Sequence, residues 1–436
     1  MYIIKPRERI CKAVAVPADK SISHRAILVA AIAKGTSVIC PFLSSDDTEA
    51  TLGCLKKLGV RIARKASRVI VKGRGLFFSK KNNVSLFARQ SGTTLRLLSG
   101  ILCGQKFASR IDAHRSLRRR PMKRILVPLS LMGADIRAVM GSSGEAHPPL
   151  TIRPVSRLRA IEYVLPVASA QVKSAIMFAS LFSEGVTKIV EPHATRDHTE
   201  RMLTLFGAKI TRRGAQILSS RANLSAPKKK IFIPSDFSSA AFFIVLGLIT
   251  KRSQITIKSV NINPTRCYLL EVLKRMGARI TISAKNRYFE PYADIVVSSS
   301  SLRRVTVTED EVPLMIDEIP ILCVAAAYAG GTSVIRGVGE LKVKETDRVV
   351  SMVENLKLAG VRIRASQYRH RGVREWKLEI NGATKFKKGV FRSFNDHRTA
   401  MSMIVFGLAS NTVYGIDDVS CIDKSFPEFI DTIEAL

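Results

Sequence analysis

Two alternating rhythms of apolar positions run along the chain. The first is a helical pattern closing on leucine, two variable residues, an apolar residue and glycine, followed by an alternating strand pattern. It stands at Leu55–Ile62, Leu129–Ile136, Leu203–Ile210, Leu273–Ile280 and Leu356–Ile363. The glycine in each is placed to take the left-handed conformation that ends a helix, so each stretch predicts helix, glycine cap and strand. The second rhythm is an apolar helix, a small or polar turn and a short β-branched strand. Its turns are Lys34–Thr36, Cys103–Gln105, Glu184–Val186, Thr250–Arg252, Gly330–Thr332 and Ser410–Thr412. Interleaved, the two describe six units of paired helices alternating with short strands, a repeat architecture of the α/β class.

The sixth unit ends in the helix-like Phe426–Leu436 and lacks a last strand. Ile3–Ile4 and Ala13–Val16 are the candidates to supply it, which would place the N-terminus inside the C-terminal half. Six units divide into two domains of three, with the break near Ile231–Ala240, after the Ala226–Lys230 loop. The expected organisation is a first domain over 18–235 and a second made of 1–17 and 236–436. Two similar lobes imply a cleft, a common place for a ligand.

Length adds support, since 436 residues exceed one ordinary core. Hydrophobic residues make up 46% and charged residues 24%, the balance of a soluble globular chain. The strongest apolar runs, such as Ala240–Ile249, reach about half a membrane span. The N-terminus has no signal-peptide core, so a cytoplasmic location is expected. The seven cysteines form no C-x-x-C pair and no His–Cys ligand spacing. They read as buried hydrophobes in a reducing compartment, and no metal is implied.

Net charge changes the picture more, at +35. It fits a nucleic-acid binder, or an enzyme of multiply anionic substrates on a basic surface. Basic residues are spread along the chain, with short runs only at Arg118–Arg120 and Lys228–Lys230. Aromatics are sparse at 6%, leaving little surface for base stacking. Charge alone does not separate the two.

Candidate chemistry gathers at helix starts, where free backbone N–H groups and the positive dipole end favour anions. Ala18–Arg25 is the densest, with Lys20, Ser21 and Arg25 standing before the apolar run Ala26–Ala33. Its plain alternative is a capped helix with solvated cations. Asp46–Thr48 reads mainly as a cap, although its acids are also able to orient Lys20 or Arg25. Gln90–Arg96 opens another helix, with Gly92 allowing close backbone approach. Arg115–Met122 brings four guanidinium groups, of which Arg120 stands against Pro121. In Leu165–Ser174, Ser169 and Gln171 are neutral donors, and Arg196–Thr199 sits similarly. Asp317–Glu318, Lys342–Arg348, Phe394–Arg398 and Lys424–Pro427 each precede a later helix. For the two adjacent acids the alternative is dipole capping. Capping alone does not explain cations recurring at the same place in unit after unit.

Asp19–Arg25, Ser91–Arg96, Arg120–Met122, Leu165–Lys173, Lys344–Arg348, Asn395–Arg398 and Lys424–Pro427 together resemble the 5-enolpyruvylshikimate-3-phosphate synthase family. The resemblance implies two similar α/β domains, each of three βαβαββ repeats with buried helices, the inside-out barrel of enolpyruvyl transferases. It implies transfer of the enolpyruvyl group of phosphoenolpyruvate to the 5-hydroxyl of shikimate 3-phosphate, with release of phosphate. No metal or organic cofactor is implied. By motif, shikimate 3-phosphate would be held by Lys20, Ser21, Arg25, Ser169, Ala170, Gln171, Arg196, Asp317 and Lys344. Phosphoenolpyruvate would be held by Lys20, Gly92, Arg120, Gln171, Arg348, Arg398 and Lys424.

Catalysis would rest on Lys20, Asp317, Glu345 and Lys424. In that reading Asp317 is the base for the 5-hydroxyl, Glu345 moves a proton at the vinyl carbon and Lys20 stabilises the leaving phosphate. Cations gathered for two anions repel one another in an empty cleft, so closure on binding is expected. Two departures from the family stand out: Gln90 replaces the usual Asn, and Ala170 replaces a serine found in part of it. Gly92 leaves room for the inhibitor glyphosate, so sensitivity is expected. The sister transferase acting on UDP-N-acetylglucosamine uses a Lys-Asn pair and a loop cysteine. Here Ser21 follows Lys20, and Arg115–Met122 has no cysteine. The expected partners are the two small substrates, with no nucleic acid, no membrane and a monomeric chain.

Overall fold

The computed structural model describes residues 1–79, 83–142, 144–284 and 286–436. It resolves the chain into two compact units: an inner one, Ala18–Ile233, and a split one, Met1–Pro17 with Pro234–Leu436. In the inner unit the helices Lys20–Ile32, Gly92–Leu102 and Ala170–Ser180 are buried almost throughout. Past their first two turns these segments are apolar or small on every side, so no face is left for solvent. A Cβ on Gly100 would lie 2.2 Å from the Ala175 carbonyl oxygen, which shows how closely the second and third of these helices pack.

Each buried helix of the inner unit rests on its own sheet. In one sheet Val84–Phe87 runs parallel to Ser109–Asp112, which pairs antiparallel with Ala146–Arg153, itself paired with Asp135–Met140. Glu162–Val164, Val186–Val190, Gln216–Ser220 and Thr211–Arg213 repeat that order. The first sheet holds Lys34–Ile39, Arg68–Arg74 and Arg61–Lys65, all antiparallel. Its parallel neighbour is the segment that bridges Ser225 to Lys34 and Ile231 to Ile39.

The split unit repeats the scheme with Phe237–Ile249, Ile319–Ala327 and His397–Ala409, three buried helices packed on one another. The two candidate N-terminal strands part company here. Tyr2–Ile4 pairs antiparallel with Tyr414–Ile416, in the last sheet. Cys11–Val14 instead runs parallel to Gln254–Ile257, in the sheet of the fourth unit. Gly59, Gly133, Gly207, Gly277 and Gly360, the glycines of the first repeat signature, all have φ between 85° and 96°. A side chain in that region clashes with its own backbone, hence glycine each time.

Arg115–Met122 does stand before the helix that contains Leu129, Lys123–Leu131, and its first four residues, Arg115–Arg118, make a short helix of their own. Pro121 lies between them, lacking an N–H and restricting the residue before it. The last helix spans only Phe429–Glu434, starting beyond Pro427. Among the described residues no helix is long and apolar enough to cross a membrane.

Candidate active site

In the inner unit, Asp19 caps the first buried helix by accepting from the Ile22 N–H at 2.9 Å. This leaves Lys20 and Ser21 half-buried on its first turn. Lys20 Nζ donates to Asp47 Oδ2 at 3.0 Å, with both side chains 17% exposed. The capping of the Asp46–Lys57 helix falls to Ser45 and Thr48, which form a capping box. Asp47 is therefore released from capping and serves to hold the Lys20 ammonium.

A chain of hydroxyls ties three helix starts together. His24 Nδ1 lies 2.7 Å from Thr51 Oγ1, which lies 2.6 Å from Thr94 Oγ1. Thr94 Oγ1 in turn donates to Ser91 Oγ at 2.8 Å, the residue that caps the Gly92 helix. Burial pushes the His24 imidazole down to about 3, opposed by Asp47 and assisted by Lys20 and Arg25. An unfolded histidine titrates near ~6.5, so the neutral His24 contributes stability above that pH. The contribution is lost as pH falls toward the folded value, at up to ~1.4 kcal/mol per pH unit. Denaturation series from about pH 7 to about pH 4 are expected to show falling stability, with a shallower slope in His24→Gln. Equal slopes would remove His24 as the source.

Gly92 opens its helix beside two guanidinium groups. A Cβ there would sit 3.5 Å from Arg120 Nη1 and 3.8 Å from Arg96 Nη1, both ordinary contacts. Arg96 donates to Gln171 Oε1 at 2.5 Å and to the Pro121 carbonyl at 3.2 Å. Gln171 Nε2 donates to Thr93 Oγ1 at 3.0 Å. The structure thus brings Gly92, Arg120 and Gln171 together, and adds Arg96, which sequence reasoning left out. The signal was its position four residues beyond Gly92, one turn along the same helix face.

Arg25 is buried and engaged by hydroxyls, donating to Thr199 Oγ1 at 2.7 Å and Ser174 Oγ at 2.9 Å. Ser169 caps the third buried helix by accepting from the Val172 N–H, and Ala170 is that helix's first residue. Lys173, one turn further, is fully buried between Glu191 and Glu200, at 2.9 and 2.7 Å. Arg196 is half-buried in the loop before His198–Leu205.

The split unit carries a second cluster. Asp347 caps the Arg348–Leu358 helix, and Asp396 caps His397–Ala409 by accepting from the Arg398 and Thr399 N–H groups. The buried Arg348 guanidinium donates to Asp396 Oδ2 at 2.9 Å and Glu345 Oε2 at 2.7 Å. Its Nη1 stands 3.5 Å from Asp317 Oδ1, and Arg398 Nε stands 3.5 Å from the same oxygen. Burial alone would lower the Arg348 pKa, but Asp396, Glu345 and Asp317 outweigh it and hold it above the ordinary value. For Lys344, burial wins and pushes the ammonium pKa down against Asp317 and Glu340. Lys424 Nζ donates to the Asn395 carbonyl at 3.2 Å and to Asn395 Oδ1 at 3.0 Å. Phe394 and Asn395 both take φ of 54°, an uncommon left-handed turn that presents Asn395 to Lys424.

Asp317 and Glu318 separate sharply. Neither makes a side-chain cap on the Ile319 helix. Asp317 joins the arginine cluster, whereas the wholly buried Glu318 accepts from Arg266 at 2.8 Å and from Ser238. Arg266 also reaches Asp236 at 3.2 Å, forming a buried structural knot that the sequence reading did not include.

Comparison with known proteins agrees with these motifs. The family model described as EPSP synthase (3-phosphoshikimate 1-carboxyvinyltransferase) matches residues 4–433. A 3-phosphoshikimate 1-carboxyvinyltransferase of Citrifermentans bemidjiense is 43% identical, over 100% of this chain and 99% of its own length. One from Petrotoga mobilis is also 43% identical, over 99% and 98%. The EPSP synthase structure from Acinetobacter baumannii superposes with a TM-score of 0.86 at 40% identity, covering 100% of this chain and 97% of that one. The enolpyruvyl transferase NikO from Streptomyces tendae, 16% identical, shares the α/β fold with a TM-score of 0.75 over 100% and 96%. With motif and fold in agreement over nearly the whole length, the chain belongs to the EPSP synthase (3-phosphoshikimate 1-carboxyvinyltransferase) family.

Proposed function

We infer that this chain transfers the enolpyruvyl group of phosphoenolpyruvate to the 5-hydroxyl of shikimate 3-phosphate, releasing phosphate in the shikimate route to aromatic amino acids. The observation that carries the residue assignment is Asp317, a carboxylate set 3.5 Å from each of two guanidinium groups, with Glu345 on one of them. A base and a proton carrier among fixed cations is what addition to an anionic vinyl phosphate needs.

In this reading Asp317 takes the 5-hydroxyl proton as the oxygen attacks C2, while Glu345 delivers a proton to C3. Arg120, Arg348 and Arg398 would neutralise the phosphate and carboxylate of phosphoenolpyruvate, and Gly92 and Gln171 would also contact it. Collapse of the tetrahedral adduct returns one of the three protons of the freely rotating C3 methyl to Glu345 and expels phosphate, which Lys20 and Lys424 stabilise and which receives the proton held by Asp317. Ser21, Arg25, Ser169, Ala170, Arg196 and Lys344 would hold shikimate 3-phosphate. We place the enzyme in the cytoplasm as a monomer, since one chain supplies every motif residue.

Turnover in heavy water is expected to leave deuterium in the enolpyruvyl methylene of the product. Glu345→Gln is expected to slow turnover and isotope entry together, by about a hundredfold or more. Product free of deuterium, or wild-type rates in the variant, would contradict the assignment. Gly92→Ala is expected to fold normally, because its methyl meets only the flexible ends of Arg120, Arg96 and Leu117. The methyl takes space beside the phosphoenolpyruvate cations, so the KM for that substrate should rise roughly tenfold, with glyphosate sensitivity falling as well. An unchanged KM would place phosphoenolpyruvate elsewhere.

A further inference from the structure

The first sheet of the inner unit has a face unlike the others. Strand alternation turns Val69, Val71 and Gly73 inward and Arg68, Ile70, Lys72 and Arg74 outward. On that outward face Lys34 stands directly opposite Arg74, Arg61 opposite Lys72, and Lys65 opposite Arg68. All six are exposed, and none has an ion-pair partner among the described residues. The remaining outward positions are Thr36, Val38, Ile70 and Ala63, so the face holds no carboxylate.

Like charges directly opposite on neighbouring strands destabilise a sheet unless a counter-charge lies between them. Elsewhere strand cations commonly have one beside them, as Asp135 to Arg137, Glu162 to Lys188, Asp294 to Lys258 and Glu379 to Arg364, although the single pair Arg369 opposite Arg374 has none among the described residues. Here three such pairs share one face, and none of the three has a counter-charge among the described residues. The bridges at Ser225 and Ile231 also bring the exposed Lys228 and Lys229 alongside the sheet's edge.

We propose that this face binds the phosphodiester backbone of duplex nucleic acid without regard to sequence. From Arg68 to Arg74 the cations span about 20 Å at ~3.3 Å per residue, across roughly 10 Å of sheet width. That is a flat stripe for a row of phosphates, not a pocket for one small anion. No aromatic side chain points outward from it, so neither base stacking nor a membrane wedge is provided for. Backbone phosphates alone match what is offered. This revises the expectation that nucleic acid is not a partner. The basic residues look scattered along the chain because strand register, not sequence proximity, collects them.

The test is fluorescence polarisation with a labelled mixed-sequence duplex of ~25 base pairs over about 50 to 200 mM salt. The wild-type chain should bind with affinity falling about a thousandfold across that range, as six phosphate contacts require. Arg61→Gln, Lys65→Gln, Arg68→Gln and Lys72→Gln together should reduce the log–log salt slope by about 4. The variant should keep full phosphate-release activity and melt no lower than wild type, which separates lost binding from misfolding. A charge-matched variant, Arg362→Gln, Arg369→Gln, Arg371→Gln and Arg374→Gln, should leave duplex affinity within about twofold. Equal loss in both variants would overturn the site, as non-local charge would then explain binding. So would no binding at ~50 mM salt, or capture by phosphatidylserine vesicles in preference to duplex.

Discussion

Lys20→Met is expected to lower kcat/KM by about a thousandfold while the protein stays folded. Lys20 stands on the first turn of a buried helix whose cap is Asp19, and Asp47 holds its ammonium at 3.0 Å. Nothing in the fold requires that charge, since both side chains remain partly exposed. Loss of such a pair costs within about 1 kcal/mol. In the proposed mechanism, phosphate leaving as a multiply charged anion does require it, and removal of one fixed donor from a transition state commonly costs about a hundred- to a thousandfold. Steady-state kinetics beside a urea melt separates these effects. Retention of more than about a tenth of wild-type turnover would remove Lys20 from the chemistry.

Arg348→Met is expected to cost both stability and function. The guanidinium is 1% exposed and faces Asp396, Glu345 and Asp317, with Asp396 itself wholly buried. Taking away one member of a buried ion cluster leaves the others uncompensated, at about 3–5 kcal/mol. Asp396 also caps the His397–Ala409 helix, so disturbance there reaches Arg398, the second cation proposed to hold phosphoenolpyruvate. Urea denaturation should show the loss, and the double variant with Asp396→Asn should lose less than the two single variants summed. A loss below about 1 kcal/mol would mean that Arg348 is not the hub of the cluster.

What the sequence disclosed and what it hid have different physical causes. Helix-ending glycines were legible because a left-handed residue leaves a local mark, and Gly59 through Gly360 take that conformation. The Lys20–Asp47 pair was half legible: proximity was conceivable, but capping was the stronger reading until Ser45 and Thr48 took that role. The Arg266–Glu318–Asp236 knot was not legible, since its members lie 52 and 30 residues apart and the helix-start positions of Asp236 and Glu318 do not point to Arg266. The His24–Thr51–Thr94 hydroxyl chain was hidden for the same reason, and its residues also serve as ordinary helix formers. Among the proposed site residues, short motifs at helix starts could be named one by one. Their partners, such as Arg96 with Gln171, depend on helix-to-helix packing that no local pattern records.

The most direct measurement is inorganic phosphate release by the purified chain given shikimate 3-phosphate and phosphoenolpyruvate, with each substrate alone as the control. Release that requires both substrates, in equal amount to the new enolpyruvyl ether, is the expected result. A folded chain that binds both substrates and releases no phosphate, or releases it from phosphoenolpyruvate alone, would contradict the proposed reaction.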